Sequence, residues 1–173
     1  PPQGSGAEEA VLGGILLDPD AIGRVADVLQ PEAFYLNAHR EIFRTAVMLH
    51  SQGKPTDLTA MTAWLADTGA LDKVGGSSRL VELVERVAST ASIEQVARLV
   101  MDKYLRRQLI RSGNEVIQLG FDQGLPMEQV LDKAEQTIFA ISQEKPSQGL
   151  TPTAEILTST FNEIESRSLG TSV

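Results

Sequence analysis

The stretch IEQVARLVMDKYLRRQLIRSGNEVIQLGFDQGLPMEQVLDKAEQTIFAIS, running from Ile93 to Ser142, decides the fold. In its first part Met101, Leu105, Leu109, Val116 and Leu119, with Ser112 between them, recur at steps of three and four. In its second part Met127, Leu131, Ala134, Ile138 and Ile141 repeat the pattern. Such spacing places one apolar stripe on each of two helices. Between them lies Gly120-Phe121-Asp122-Gln123-Gly124-Leu125-Pro126, where the glycines can turn the chain and the proline suits the first turn of a helix. Two matched stripes joined by a short turn predict an antiparallel helical hairpin. Val96, Leu99, Ile110 and Ile117 project away from the main stripe, interrupted by Lys103, Arg107 and Asn114. They either touch the preceding domain or wait for a second copy or another protein, because uncovered apolar residues on a projecting helix mark interaction surfaces.

Upstream, residues 1–92 predict a globular subdomain of short helices. Ser5 and Glu8 stand at capping-box spacing ahead of Val11, Leu12, Ile15 and Leu16. Asp20 is a candidate cap for a helix carrying Ile22, Val25, Ala26 and Leu29, and Asn37 for one carrying Ile42, Phe43, Ala46, Val47 and Leu49. Gly53 and Pro55 form a stop pair. Asp57 caps a helix with Leu58, Met61, Trp64 and Leu65, Gly75-Gly76-Ser77-Ser78 reads as a loop, and Leu80, Leu83, Val84 and Val87 mark one more helix. Ala88 to Ser92 is a polar joint into the hairpin of residues 93–144. No segment sustains period-two alternation, so the expected class is all-α. Residues 145–151 read as a flexible linker, and Thr151-Pro152 opens a last helix over 152–168 with a narrow stripe of Leu157, Thr160, Phe161 and Ile164. No core accompanies that stripe, so it is expected to dock on something outside the chain, which reads as a piece of a larger protein.

Composition narrows the function. The 173 residues are 42% hydrophobic and include no cysteine, which excludes disulfides, zinc–thiolate sites and cysteine nucleophiles. Val11 to Leu17, the longest apolar run, is too short to span a bilayer and follows Glu8 and Glu9 rather than the basic residues of a signal peptide. Fifteen basic residues stand against 23 acidic ones, for a formal charge of −8. A surface that neutralises phosphates along a nucleic acid carries the opposite excess, and an anionic membrane repels this one.

Chemistry finds no foothold. A phosphate-binding loop follows G-x-x-x-x-G-K-S/T. The Gly53-Lys54 pair has Met48 where the first glycine belongs and Pro55 after the lysine, so it reads as a helix stop. His39 and His50 lie eleven residues apart on one predicted helix, roughly 16 Å along its axis and too far to share a metal. His39 is expected to pack or hydrogen-bond beside Phe34 and Tyr35, and His50 to favour a helix C-terminus. Glu8-Glu9 reads as a helix-start dipole partner, and Glu163 with Glu165 as a solvated face. Lys103, Arg106, Arg107 and Arg111 form a charge cluster that is either a solvated face, paired with Asp102 and Glu115, or a basic strip for an acidic partner.

Several landmarks together resemble a family. Pro1-Pro2-Gln3, Ala7-Glu8-Glu9-Ala10-Val11-Leu12-Gly13-Gly14 and Leu17-Asp18-Pro19 are similar to the opening of DnaB-type bacterial replicative DNA helicases. Phe34-Tyr35, His39, Ile42-Phe43, Pro55-Thr56-Asp57-Leu58, Gly75-Gly76 and the run Lys103 to Ile110 follow in the family's order, while Gly4-Ser5-Gly6 departs from its polar and acidic residues. The resemblance covers the N-terminal domain and linker helix and stops before the RecA-like motor. It implies a cytoplasmic parent enzyme, a ring-shaped hexamer that uses ATP and Mg to translocate on single-stranded DNA and separate the duplex. This segment would be its collar, without an active site, cofactor or metal of its own. Hairpins of neighbouring subunits would pair, primase would dock on the collar, and DNA would be met only through the motor. Met101, Leu105, Leu109, Val116 and Leu119 with Leu131, Ala134, Ile138 and Ile141 then close the hairpin. Ile110, Ile117, Arg106, Arg107 and Arg111 become candidate subunit or primase contacts. Leu157, Thr160, Phe161 and Ile164 become the dock on the adjacent subunit's motor domain. Two alternatives stand beside this: the helicase-binding C-terminal domain of a primase, similar in fold, and a free-standing helical adaptor.

Overall fold

The first helix, α1 (Ser5–Leu17), is apolar on most of its circumference and becomes the axis of the globular part. The computed structural model describes residues 1–87 and 92–144. Around α1 pack α2 (Ala21–Val25), α3 (Asn37–Ser51), α4 (Leu58–Asp67), α5 (Gly76–Glu85) and the long α6 (Ile93–Phe121). Two short 3₁₀ turns, Pro31–Ala33 and Asp72–Val74, connect them, and α7 (Met127–Gln143) folds back along α6. The class is all-α, with no strand among the described residues. No helix among them is long and apolar enough to cross a membrane.

Close packing of α1 is a matter of glycine. A Cβ at Gly13 would lie 2.2 Å from the Leu83 carbonyl oxygen and 2.4 Å from Val87, so α5 approaches the backbone of α1 where no side chain intervenes. Val11, Leu12, Ile15 and Leu16 fill the remaining faces and are buried. They meet Ile42, Phe43, Ala46 and Leu49 of α3, Met61 and Leu65 of α4, and Leu80 and Leu83 of α5 in one cluster. Phe34 and Phe43 place their ring centroids 4.8 Å apart at its floor, within the range of favourable aromatic pairs.

Helix ends follow the expected signals at some places and not at others. The Asp57 side chain accepts from the Ala60 N–H and Ser92 from the Gln95 N–H, capping α4 and α6. Gly53 and Gly69 take positive φ after α3 and α4, the left-handed conformation glycine adopts without strain. The capping box predicted from Ser5 and Glu8 does not form: Gly4 precedes α1 without a side-chain cap, and Glu8 turns into the core. Asp20 makes no side-chain cap, its own N–H instead donating to Asp18 Oδ1. Asn37 is the first residue of α3 rather than its cap. The stretch expected as a loop at Gly75–Ser78 is helical from Gly76, because the positive φ of Gly75 (103°) and Gly76 (81°) makes the turn in two residues. The joint predicted over Ala88 to Ser92 falls outside the described residues except for Ser92, as do the linker over 145–151 and the helix over 152–168.

Candidate interaction surface

α6 has two jobs along its length. Its 29 residues span about 44 Å. The first half is part of the globular core: Val96, Ala97, Val100, Met101 and Tyr104 are buried there, and Leu105 packs against the same cluster. Met101 and Leu105, expected in the hairpin seam, are drawn into this core instead, because α7 reaches only the second half of α6. Val96, one of the surplus apolar residues, is covered by the same core, whereas Leu99, Ile110 and Ile117 stay exposed.

The hairpin seam itself is thin. Ser112 and Val130 are its buried residues, flanked by half-buried Val116, Leu119, Ala134, Thr137 and Ile141. Of the predicted seam residues the structure brings together Val116, Leu119, Ala134 and Ile141, and leaves Leu109, Leu131 and Ile138 exposed. Val130 escaped the sequence reading: it precedes Leu131 by one position, 100° around the helix, and its steps to Ala134, Thr137 and Ile141 complete the true stripe. At the tip, the Asp122 side chain accepts from the Gly124 N–H, and Pro126 supplies the carbonyl for the first turn of α7.

The two broad faces of the hairpin differ in kind. One bears a shallow depression in which Leu119 is surrounded by the polar side chains of Arg111, Asn114, Glu115, Gln118, Lys133 and Gln136. The other bears a depression of about 580 Å³ lined by Gly113, Val116, Ala134, Ile138 and Phe139. A Cβ at Gly113 or Gly120 would meet nothing within 4 Å, so the backbone of α6 itself is open there. Leu109, Ile110, Ile117, Leu131 and Ile138 are exposed, Phe139 is 63% exposed and Phe121 78%. So many large apolar side chains left in water on one small hairpin are what an interaction surface has and a solvated face lacks.

The basic cluster divides. Arg106 pairs with Asp102 one turn away at 2.9 Å, an exposed pair that contributes little. Arg107 turns inward: it donates to the carbonyls of Pro2 and Ala33, both at 2.8 Å, and its guanidinium lies 5.3 Å from the centre of the Tyr35 ring. Burial pulls its pKa below the ordinary guanidinium value, with the Arg40 charge adding to the effect. Arg111 stays at the surface.

A second polar group lies inside the globular part. Glu8 and His39 are each 1% exposed, with Glu8 Oε1 2.9 Å from His39 Nδ1 and Glu8 Oε2 accepting from the Tyr35 N–H at 2.8 Å. His39 is therefore near Phe34 and Tyr35, as expected, but its partner is a carboxylate that sequence had given to a helix cap. Beside it Glu9 receives Arg79 and Arg86, each at 3.1 Å, joining α1 to α5 and its C-terminal end. Burial alone would raise the Glu9 pKa, but the hydrogen bonds and charges of Arg79 and Arg86 outweigh it and hold the carboxyl below the usual carboxylate value. The Glu8–His39 pair has the makings of an acid–base dyad, yet no substrate could touch side chains so covered. It holds the fold. No group of three metal-ligating side chains gathers among the described residues. Leu157, Thr160, Phe161 and Ile164 lie outside the described residues.

Residues 1–102 match the family "DnaB-like helicase N terminal domain". The chain is 53% identical over 170 residues to the replicative DNA helicase DnaB of Nostoc sp., covering 98% of this chain and 19% of that protein. It is 38% identical over 165 residues to the DnaB of Geobacillus stearothermophilus, covering 95% of this chain and 36% of the relative. The fold is similar to the crystal structure of the N-terminal domain of DnaB helicase from Mycobacterium tuberculosis, with a TM-score of 0.75 at 35% identity over 81% of this chain and 99% of that one. It is also similar, with a TM-score of 0.62 at 30% identity over 92% of this chain and 36% of the other, to the structure of a DnaB-like replicative helicase and its interactions with primase. The chain thus spans between a fifth and two fifths of the length of these full-length helicases.

Proposed function

This chain belongs to the family of DnaB-like helicase N-terminal domains, and on that basis we propose that it is the collar of a hexameric replicative DNA helicase, assembling subunits and docking primase. ATP hydrolysis with Mg, translocation on DNA and duplex separation belong, in this reading, to a RecA-like motor domain of the whole protein. The segment over 152–168, with Leu157, Thr160, Phe161 and Ile164, packs on the motor domain of the adjacent subunit. The protein works in the cytoplasm. The relatives support the parent activity, and the similar helicase described with primase supports the partner.

The observation that carries the reading is the exposed apolar face of the hairpin. A domain that worked alone would not keep Leu109, Ile110, Ile117, Leu131 and Phe139 in water beside an open glycine backbone. Covered by the same face of a second hairpin, they would form a self-complementary contact, the arrangement a two-fold interface requires. Arg106 and Arg111, exposed on the same helix, would meet the acidic surface of a neighbour or of primase. Light scattering of this chain over a wide concentration range tests the assembly. A dimer or hexamer that Ile110→Asp converts to a monomer, with its helical content unchanged, supports the collar, and a monomer at every concentration sinks self-association through this face. In the full-length protein, Ile110→Asp and Arg111→Ala should reduce primase stimulation of unwinding, and unchanged stimulation by both would remove primase from this surface.

A further inference from the structure

A cleft of about 530 Å³ separates α3 from α6, roofed by the Pro31–Ala33 turn, and it gathers four arginines in an acidic chain. Arg40 and Arg44 enter it from α3, Arg107 and Arg111 from α6. Two of these guanidiniums are fixed in place. Arg40 donates from Nε to the Phe34 carbonyl at 2.7 Å and from Nη2 to the Tyr35 carbonyl at 3.2 Å, while Arg107 is held by Pro2 and Ala33. All four anchors are neutral carbonyls. Arg40, Arg107 and Arg111 have no ion pair among the described residues, although acidic residues outnumber basic ones in the chain. The cleft does hold two carboxylates, Glu32 and Glu41, and both pair with Arg44. Among the side chains that line the cleft, four arginines against two glutamates leave a surplus of two positive charges, with the Glu8 carboxylate acting on Arg107 from beneath the lining.

We propose that this cleft binds the phosphate group of a small phosphate ester, such as the terminal phosphate of a nucleotide, on Arg40, Arg107 and Arg111. A phosphate monoester carries about 1.5 to 2 negative charges at neutral pH, which matches the surplus. A single carboxylate would neutralise half of it. Guanidiniums fixed at two positions and free at a third suit an oxyanion that accepts from several directions. The volume lies in the range of small-ligand sites. The ring faces argue against a nucleic-acid strand: Arg107 already covers one face of the half-buried Tyr35, and Tyr104 is 5% exposed, so little aromatic surface is left for successive bases to stack on. The inference shares Arg111 with the collar reading, but it rests on the α3–α6 cleft and is read by ligand binding to Arg40 and Arg107, which assembly through the apolar face of the hairpin does not decide.

The test is calorimetric titration of this chain with inorganic pyrophosphate and with ADP, at constant ionic strength, alongside NMR of the arginine Nε–H resonances. Binding of both, with shifts at Arg40 and Arg107, is the expected result. Arg111→Ala and Arg44→Ala leave the anchoring hydrogen bonds of Arg40 and Arg107 intact. Arg111→Ala should weaken pyrophosphate about tenfold, as for the loss of one charge-assisted hydrogen bond, with thermal unfolding unchanged. Arg44→Ala, which frees the two glutamates, should weaken it as well. No arginine shift with either ligand overturns the proposal. So does equal binding of tricarballylate, which would mark a site for acidic side chains, and so does tighter binding of an oligothymidylate without terminal phosphates, which would mark a nucleic-acid surface. Preference for a phosphoserine peptide over ADP would overturn the small-ligand part and assign the cleft to a modified protein.

Discussion

The two halves of α6 belong to regions built on opposite principles. In the globular part, most of the large apolar residues from Val11 to Leu83 are buried, backbones touch at Gly13, and even the polar Glu8 and His39 are enclosed as a pair. Among the described residues of the hairpin, Ser112 and Val130 alone are buried beyond the core, and eight large apolar side chains face water. The first region contains its own stabilising contacts. The second carries a surplus that something else must cover. Such a division suits a module whose globular part keeps its shape while the hairpin is free to bind, and it can be broken by mutation.

The sharpest break is a cavity in each region. Phe43→Ala removes a fully buried ring that packs on Phe34 and should cost about 3–5 kcal/mol, enough to unfold much of a domain of this size. Leu131→Ala, an equal insult by sequence, should cost under about 0.5 kcal/mol in the monomer, because the side chain is already wet. Urea denaturation of the two variants at low concentration measures the contrast. If Leu131→Ala destabilises as much as Phe43→Ala, the hairpin is stabilised by association even in dilute solution, and the two regions are less different than the isolated chain suggests.

Next comes the buried pair. Glu8→Ala leaves the Tyr35 N–H and His39 Nδ1 without their acceptor inside the core, a loss of about 3 kcal/mol by the cost of leaving buried polar groups unsatisfied. Glu8→Gln keeps one oxygen and should recover part of it. Equal stability of wild type and Glu8→Ala would show that the core relaxes around the gap or that water enters.

These residues also show where the sequence was legible. The hairpin, its Gly124-Leu125-Pro126 turn and the Asp57 cap were readable because each is decided within a few residues of chain. Glu8 was misread because its partners, Tyr35 and His39, lie 27 and 31 residues away, and a capping box predicts only local partners. Leu131 and Val130 were exchanged because both are apolar and neighbours. Only the position of α6 decides which of them faces inward. Met101 and Leu105 fit the hairpin stripe by period, yet a helix of 29 residues outlasts any one partner. The candidate site was half legible: Ile110 and Ile117 were found as surplus, but Phe139 and the open backbone at Gly113 emerge only when both helices are placed.

A third break concerns the contact of α1 with α5. Gly13→Ala puts a methyl 2.2 Å from the Leu83 carbonyl oxygen, where only movement of a backbone can relieve it. The expected loss is about 2 kcal/mol. Gly113→Ala, in open space on the hairpin, should instead raise monomer stability by up to about 1 kcal/mol through helix propensity, while weakening any assembly that brings a second backbone to that place. Opposite signs for two glycines on the same kind of helix would sharpen the contrast, and equal signs would remove it. Thermal unfolding of each variant at one dilute concentration decides.

The smallest expected effect depends on pH. Glu9 lies between Arg79 and Arg86 with a carboxyl pKa below its ordinary value near 4.5. A carboxyl whose pKa is lower in the folded chain than in the unfolded one contributes stability above the unfolded value, and that contribution fades as pH falls through the folded one. Glu9→Gln should therefore lose up to about 1 kcal/mol at pH 7, as for a partly exposed ion pair, and the difference from wild type should vanish once the pH has fallen below the folded value. Asp102→Asn on the hairpin removes a pair between residues of one helix turn, worth about 0.3 kcal/mol, which holds no second element in place. Acid should thus loosen the junction of α1 with α5 before it touches α6 and α7, and amide exchange at Leu83 and Val84 against Val116 and Ala134, followed from pH 6 to pH 3, would reveal the order. Earlier loosening of the hairpin would mean that the seam of Ser112 and Val130 is the weaker of the two joints, and that the ion pairs of Glu9 are not what holds the globular part together in acid.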